Sequence, residues 1–249
     1  MTSKKWILPD GIDDILPEQA YWLEIKRREV IDTFFQYGYG LVIPPLIEYS
    51  DSLLNNISED LDLQTIKFTD QETGKQLALR ADITSQISRI CSTYNFNEKI
   101  NRYCYFDNVA RAKNNESKKS RAPIQAGAEL IGNFDINNDI EIVNLMIDVV
   151  KKFTTKKIFL DIGHVGIFKK LISNINLDKE KEKKIKSLIR RKSNSEIKKY
   201  LTLLDIDEDI KNCLSDFPRM HGHVDNIKTH SEILKVFDKN ISDDINYIT

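Results

Sequence analysis

Glycine and proline are scarce, at nine and six of 249 residues, which excludes a collagen-like or low-complexity chain. Cysteine is scarcer still. Cys91, Cys104 and Cys213 lie far apart with no paired spacing, so neither a disulfide framework nor a zinc site is expected and no metal ligand is assigned. They read as small buried hydrophobes in a reducing compartment. No segment approaches the ~18 apolar residues of a membrane span, and the opening MTSKKWILPDG lacks the apolar core of a signal peptide. A cytoplasmic location without a membrane partner is expected. Neither sign of charge is in excess, since 37 Lys plus Arg against 38 Asp plus Glu give a formal charge of -1. Nothing global then draws the chain to nucleic acid, and a tRNA partner is not expected. What is present is 41% hydrophobic residues, enough for a core of ordinary size in one large domain or two small ones.

Pro17 stands where a first helical residue belongs, and Trp22, Leu23, Val30, Ile31, Phe34 and Phe35 recur at helical spacing up to a stop at Gly38 and Gly40. The segment Leu41 to Ile47 is extended but carries Pro44 and Pro45, which confine it to an edge or a bend because proline has no N–H for a ladder. Residues 66–69 and 77–80 flank a turn at Glu72-Thr-Gly74 and predict a hairpin. Ile83, Ile87, Ile90 and Cys91 then predict a helix from near Asp82. Residues 102–111 and 121–132 read as a second hairpin around the polar link 113–120. A helix is predicted from Asp139, a short strand at Ile158-Phe-Leu160, and helices over 178–192, 196–204 and 224–237. The Lys/Glu run at 179–186 reads as a solvated helix face. The fold class is therefore α+β, an antiparallel sheet flanked by helices and followed by a helical region, with domains at 1–170 and 171–249.

Period-2 alternation in the second strand of that second hairpin puts Ile124, Ala126, Ala128 and Leu130 on one face, which reads as core. The other face carries Arg121, Pro123, Gln125, Gly127 and Glu129, with Gly127 leaving room between polar groups. Arg111 closes the first strand, and Asp82 and Thr84 open the preceding helix. A small zwitterion with an imidazole ring needs carboxylates for its ammonium, a cation for its carboxylate and acceptors for its ring N–H. These residue types suit it. Asp82 and Thr84 equally suit a helix cap, and Arg111 with Glu129 equally suits a structural ion pair. His164, between Gly163 and Gly166, suits either a ligand contact or a hydrogen-bonded structural role, while His221 and His223 are assigned nothing.

The ordered series Gly11-Ile-Asp-Asp-Ile-Leu-Pro17, Gly38-Tyr-Gly40, Ile43-Pro-Pro-Leu-Ile-Glu48, Leu79-Arg-Ala-Asp-Ile-Thr84, Asn108-Val-Ala-Arg111 and Arg121-Ala-Pro-Ile-Gln-Ala-Gly-Ala-Glu129 resembles the catalytic domain of histidyl-tRNA synthetase. It resembles more closely the non-catalytic branch, the regulatory subunits of short-form ATP phosphoribosyltransferase, which read LRADIT where the synthetase reads LRPEGT. Leu160-Asp-Ile-Gly-His-Val-Gly-Ile-Phe168 is similar to that branch too. The resemblance implies a class II synthetase-like fold, and it implies that Asp82, Thr84, Arg111, Gln125 and Glu129 occupy the histidine-binding positions. Asp82 there replaces a longer glutamate. In the synthetase an Arg-x-Glu element and a stacking Phe handle ATP; here Arg111-Ala-Lys113 and Pro123 stand in those places, so adenylation is expected to be lost. No catalytic residue and no cofactor are implied.

The implied function is a regulatory one in the first step of histidine biosynthesis. The chain would assemble with a short catalytic subunit, activate it and relay feedback by histidine, and it would dimerise through its first helix and the segment at Pro44 to Glu48. The alternative is a truncated or degenerate synthetase-like enzyme. The family's Gly-Tyr-x-Tyr histidine loop, motif 3 and anticodon-binding domain find no counterpart in these 249 residues.

Overall fold

The computed structural model describes residues 7–55, 58–94, 100–113, 120–132, 135–163, 165–173, 175, 177–220 and 222. The chain separates into two compact units, Met1–Ile158 and Phe159–Thr249.

The first unit opens with α1 (Pro17–Gln36), whose proline sits in the first turn, where no N–H is needed by the helix. It ends at Tyr37, and Gly38 follows with φ 79°, a left-handed conformation that favours glycine. Strand β1 (Gly40–Leu41) pairs in parallel with β5 (Ile100–Asn108), and β5 pairs antiparallel with β6 (Ile124–Gly132) along its whole length. In that register Tyr103 faces Glu129, Tyr105 faces Gly127 and Asp107 faces Gln125. Helix α1 and helix α5 (Ile136–Lys151) pack on one side of this sheet through Val30, Phe34, Tyr39, Cys104 and Leu145, with Ala128 and Leu130 against them. Ala126, expected in that core, is exposed. Helix α5 starts before the expected Asp139 because Asp135 caps it, its Oδ1 accepting from the Asn137 N–H at 2.8 Å.

Helix α4 (Thr84–Tyr94) covers the other side, where Ile83, Ile87, Tyr105 and Val109 form a second apolar cluster. A second sheet, ordered β2 (Ile47–Tyr49), β4 (Gln76–Leu79), β3 (Ile66–Thr69), holds the first predicted hairpin, whose turn uses Gly74 at φ 69°. Pro44 and Pro45 interrupt the extended segment and divide it into β1 and β2. Two short helices that periodicity does not reveal, α2 (Ser50–Leu53) and α3 (Glu59–Gln64), follow β2; Ser58 caps α3.

Arg80 binds the two sheets together. It is 1% exposed, and its guanidinium donates from Nε to the Asn108 carbonyl and from Nη1 to the Pro44 carbonyl, both at 2.8 Å. Its Nη2 lies 2.8 Å from Asp107 Oδ2. One planar group thus fixes the ends of β4 and β5 and the proline segment at once.

The second unit is helical. α6 (Val165–Ser173), α7 (Lys179–Arg190), α8 (Asn194–Leu201) and α9 (Glu208–Asp216) pack around Phe168, Ile172, Ile185, Leu188, Ile197, Leu201 and Leu214. Asp178 and Asp207 cap α7 and α9 through their side chains. Phe168 and Ile172 belong to this core, which is why the compact units part at residue 158 and not at the sequence-based division near 170. The strand expected at Ile158-Phe-Leu160 is absent among the described residues, and Phe159 is 82% exposed. The expected helix at 224–237, the histidines His164, His221 and His223 and the link residues 114–119 lie outside the described residues. No helix among those described is long and apolar enough to cross a membrane.

Candidate functional site

The α4-facing side of the β5–β6 hairpin carries the polar face that alternation predicts, and the loop after β4 brings Asp82 and Thr84 against it. Gln125 donates through Nε2 to Asp82 Oδ1 at 2.6 Å, and its Oε1 accepts from the Ile83 N–H at 3.2 Å. The second Asp82 oxygen accepts from the Thr84 N–H at 3.0 Å. Asp82 thus bonds the first residue of α4 with one oxygen and the hairpin with the other. The Thr84 hydroxyl lies 3.4 Å from the Tyr105 hydroxyl, which in turn donates to Glu129 Oε1 at 3.3 Å. Asp82, Thr84, Gln125 and Glu129 thus form one hydrogen-bonded chain, closed by Tyr105.

The charge balance of this chain is one-sided. Asp82 and Glu129 are both carboxylic acids, and among the described residues no lysine or arginine forms an ion pair with either. Burial raises the pKa of Glu129; hydrogen bonds from Thr84 and Tyr105 oppose that shift, and the charge of Asp82 adds to it. Burial pushes the Tyr105 phenol up to about 12, and the neighbouring Glu129 and Asp82 charges act in the same direction. The Cys91 thiol is raised first by burial and then by the Glu129 charge, so the acidic field reaches the second half of α4. The cluster thus presents two carboxyl groups that no lysine or arginine among the described residues pairs with.

Arg111 sits apart. It lies three residues beyond β5, where its backbone forms a bridge with Thr65 and exchanges a hydrogen bond with Arg121, the Arg111 N–H to the Arg121 carbonyl at 2.8 Å. It forms no ion pair with Glu129. Its Nε is buried without a hydrogen-bond partner. The first strand is shorter than its expected 102–111 because the ladder stops at the Asn108–Ile124 pair. The structure therefore gathers four of the five expected residues and leaves the fifth with an unused donor.

Tyr105 is the member that alternation alone does not single out. Tyr105 reads from sequence as one aromatic in a strand, and only the register shows that it lies across Gly127. A Cβ at Gly127 would overlap the Tyr105 Oη and Cζ atoms and stand 2.8 Å from Cε2. Glycine is required there by close approach, not by backbone conformation. Among the described residues no group of three or more His, Cys, Asp or Glu is placed to hold a metal ion.

Against known proteins, the family model for histidyl-tRNA synthetase matches residues 11–246. An ATP phosphoribosyltransferase regulatory subunit from Methylococcus capsulatus is 41% identical over 218 residues, which is 88% of this chain and 54% of that protein. The chain thus spans about half the length of such relatives. The solved structure of an ATP phosphoribosyltransferase regulatory subunit/histidyl-tRNA synthetase from Bacillus halodurans superposes with a TM-score of 0.79 at 23% identity, over 95% of this chain and 66% of that one. A chain of the ATP phosphoribosyl transferase (HisG:HisZ) complex from Thermotoga maritima superposes with a TM-score of 0.63 at 17% identity, over 90% of this chain and 77% of that one. At those identities the structural likenesses speak for the fold, and they agree with the α+β, class II synthetase-like architecture expected from the motifs. The chain belongs to the histidyl-tRNA synthetase family, and its sequence is similar to the ATP phosphoribosyltransferase regulatory subunits.

Proposed function

We propose that this chain is a regulatory subunit required for ATP phosphoribosyltransferase activity, that it acts in the cytoplasm on a short-form catalytic subunit, and that it carries histidine feedback. It is a binding protein in this reading, not an enzyme on its own. The observation that carries the reading is the pair of carboxylates, Asp82 and Glu129, with no ion-pair partner among the described residues and held by Gln125, Thr84 and Tyr105. An α-ammonium group would balance that charge, and the buried, unpartnered Nε of Arg111 would supply a donor for the α-carboxylate. Likeness to regulatory subunits at 41% identity supports the partner. Lys113 and Pro123 stand against the alternative, a degenerate synthetase, because neither offers the carboxylate or the aromatic face that ATP would meet.

The test is a phosphoribosyltransferase assay of a short-form catalytic subunit with and without this chain, followed by a histidine titration. Activity should appear only when both are present and fall as histidine is added. Feedback requires histidine to bind one state of the complex more tightly than the other, since equal affinity shifts nothing. Full activity of the catalytic subunit alone would overturn the regulatory role.

Self-association belongs to the same reading. Ile43 is 76% exposed, and Leu46, Ile47 and Tyr49 beside it and Tyr21, Trp22 and Ile25 on α1 are exposed too. Apolar side chains in such number on one helix and one adjoining segment are what an interface between copies covers. Light scattering at micromolar concentration should give a dimer; a monomer there would refute this part of the proposal.

A further inference from the structure

We propose that the corner between α8 and α9 is a contact between copies of this chain, separate from the one at α1 and two-fold about Leu203. Leu203 is 76% exposed, yet it does not lie on a slack loop. The Thr202 N–H bonds the Lys198 carbonyl at 3.2 Å, and the Leu203 and Leu204 N–H groups bond the Tyr200 and Leu201 carbonyls at 3.1 Å. Leu201 and Leu204 are buried in the core of the helical unit, so the corner is pinned from inside while Leu203 faces out. A lone exposed leucine calls for no explanation. Here Tyr200 and Ile206, three residues to either side, are only partly buried against the same core, and each adds apolar surface to the corner.

Charge around Leu203 is divided by sign. Lys198 and Lys199 precede it in the last turn of α8, and Asp205 and Asp209 follow it, the latter in the first turn of α9. Helix ends favour that order by themselves, bases at the C-terminus and acids at the N-terminus, so the signs alone decide nothing. Their lack of partners decides more. All four side chains are exposed, and among the described residues none of the four forms an ion pair, whereas Asp207 caps α9 and Glu208 lies 3.4 Å from Lys211. A partner surface of one sign would satisfy one side of Leu203 and repel the other. A second copy satisfies both. A two-fold axis at Leu203 sets that side chain on its equal and brings the bases of each chain over the acids of the other, so that one pattern is matched twice. The contact is a single helix corner, smaller than the ~1,200–2,000 Å² of a standard interface, and it therefore closes only at high concentration. In a chain already paired through α1 it would join pairs into larger assemblies.

The test is sedimentation velocity of the full chain from micromolar to several hundred micromolar. A step to higher mass should appear in the upper part of that range and weaken with added salt, which screens exposed charges. Leu203→Ser should abolish the step without touching any charge. The double variant Lys198→Glu with Lys199→Glu, and the double variant Asp205→Lys with Asp209→Lys, should each need at least ~10-fold more protein to reach it, because like charges then meet across the axis. Mixed in equal amounts, the two double variants should associate as the wild type does, since each offers the sign that the other lacks. Recovery in the mixture would also show that neither variant had failed by misfolding. A wild type without the step, variants that keep it unchanged, or a mixture that stays apart would overturn the proposal. A chain that is monomeric at micromolar concentration and still takes the step would refute the α1 contact and leave this one standing.

Discussion

Arg80→Ala should cost the first unit about 3–5 kcal/mol, the usual penalty for removing one partner of a buried charged pair. Three acceptors lose their donor together: Asp107 Oδ2 and the carbonyls of Pro44 and Asn108. Asp107 is one-third exposed at its side chain and water can reach it, which keeps the loss within that range. The Pro44 carbonyl, whose bond to the guanidinium is buried, has no such relief, and the excised side chain leaves a void as well. For a unit of this size a loss of that order lowers the melting temperature by roughly 10 °C. Arg80→Lys should recover only part of it, because a single ammonium cannot fan out to three acceptors in one plane. Circular dichroism melts and urea titrations of both variants read the effect. A loss below ~1 kcal/mol in Arg80→Ala would mean that the two sheets do not depend on this residue.

How much of this was legible beforehand differs with the kind of signal. The long helix from Pro17, the hairpin around Gly74 and the apolar face of α4 follow from periodicity and turn chemistry, and the structure has each of them. The polar alternation Gln125, Gly127, Glu129 likewise survives, since a strand face is fixed once the strand is. What alternation cannot supply is the neighbour. Tyr105 enters the site only through its register with Gly127, and Arg111 lies beyond the last ladder pair, Asn108 with Ile124. Sequence also hides Arg80, whose role depends on carbonyls at Pro44 and Asn108, each about thirty residues away in the chain. Ile158-Phe-Leu160 carries the residue types of a strand and yet forms no ladder, because composition offers β propensity without offering a partner edge. Asp135, Asp178 and Asp207 cap their helices through side-chain hydrogen bonds, and the helix expected from Asp139 begins at Ile136, directly after its cap.

Glu129→Gln should separate ligand binding from folding, because the two respond to this carboxylate with opposite sign. Burial holds the Glu129 pKa above its ordinary value in the folded chain, so the folded state binds the proton more tightly than the unfolded one. Between the unfolded and the folded pKa, stability contributed by this group falls as pH rises, and above the folded pKa the ionised, buried carboxylate remains a net cost. The amide removes that cost at almost unchanged volume. At neutral pH the ligand-free variant should therefore melt at the same temperature as wild type or above it. Histidine binding should move the other way, losing roughly 1.5–3 kcal/mol, or about 10- to 150-fold in affinity, because a hydrogen bond to a charged group becomes one between neutral and charged partners. Wild-type affinity should also decline as pH drops through the Glu129 titration, since the protonated acid no longer attracts an ammonium, and the variant should lack that limb. Histidine's own imidazole titrates in both measurements, so the difference between the two profiles isolates Glu129. Calorimetry across the acid range measures the affinities, and the rise in melting temperature with added histidine gives an independent reading through mass action. A variant that binds histidine as tightly as wild type, with the same pH profile, would place the ammonium away from Glu129 and remove the central contact of the proposed site.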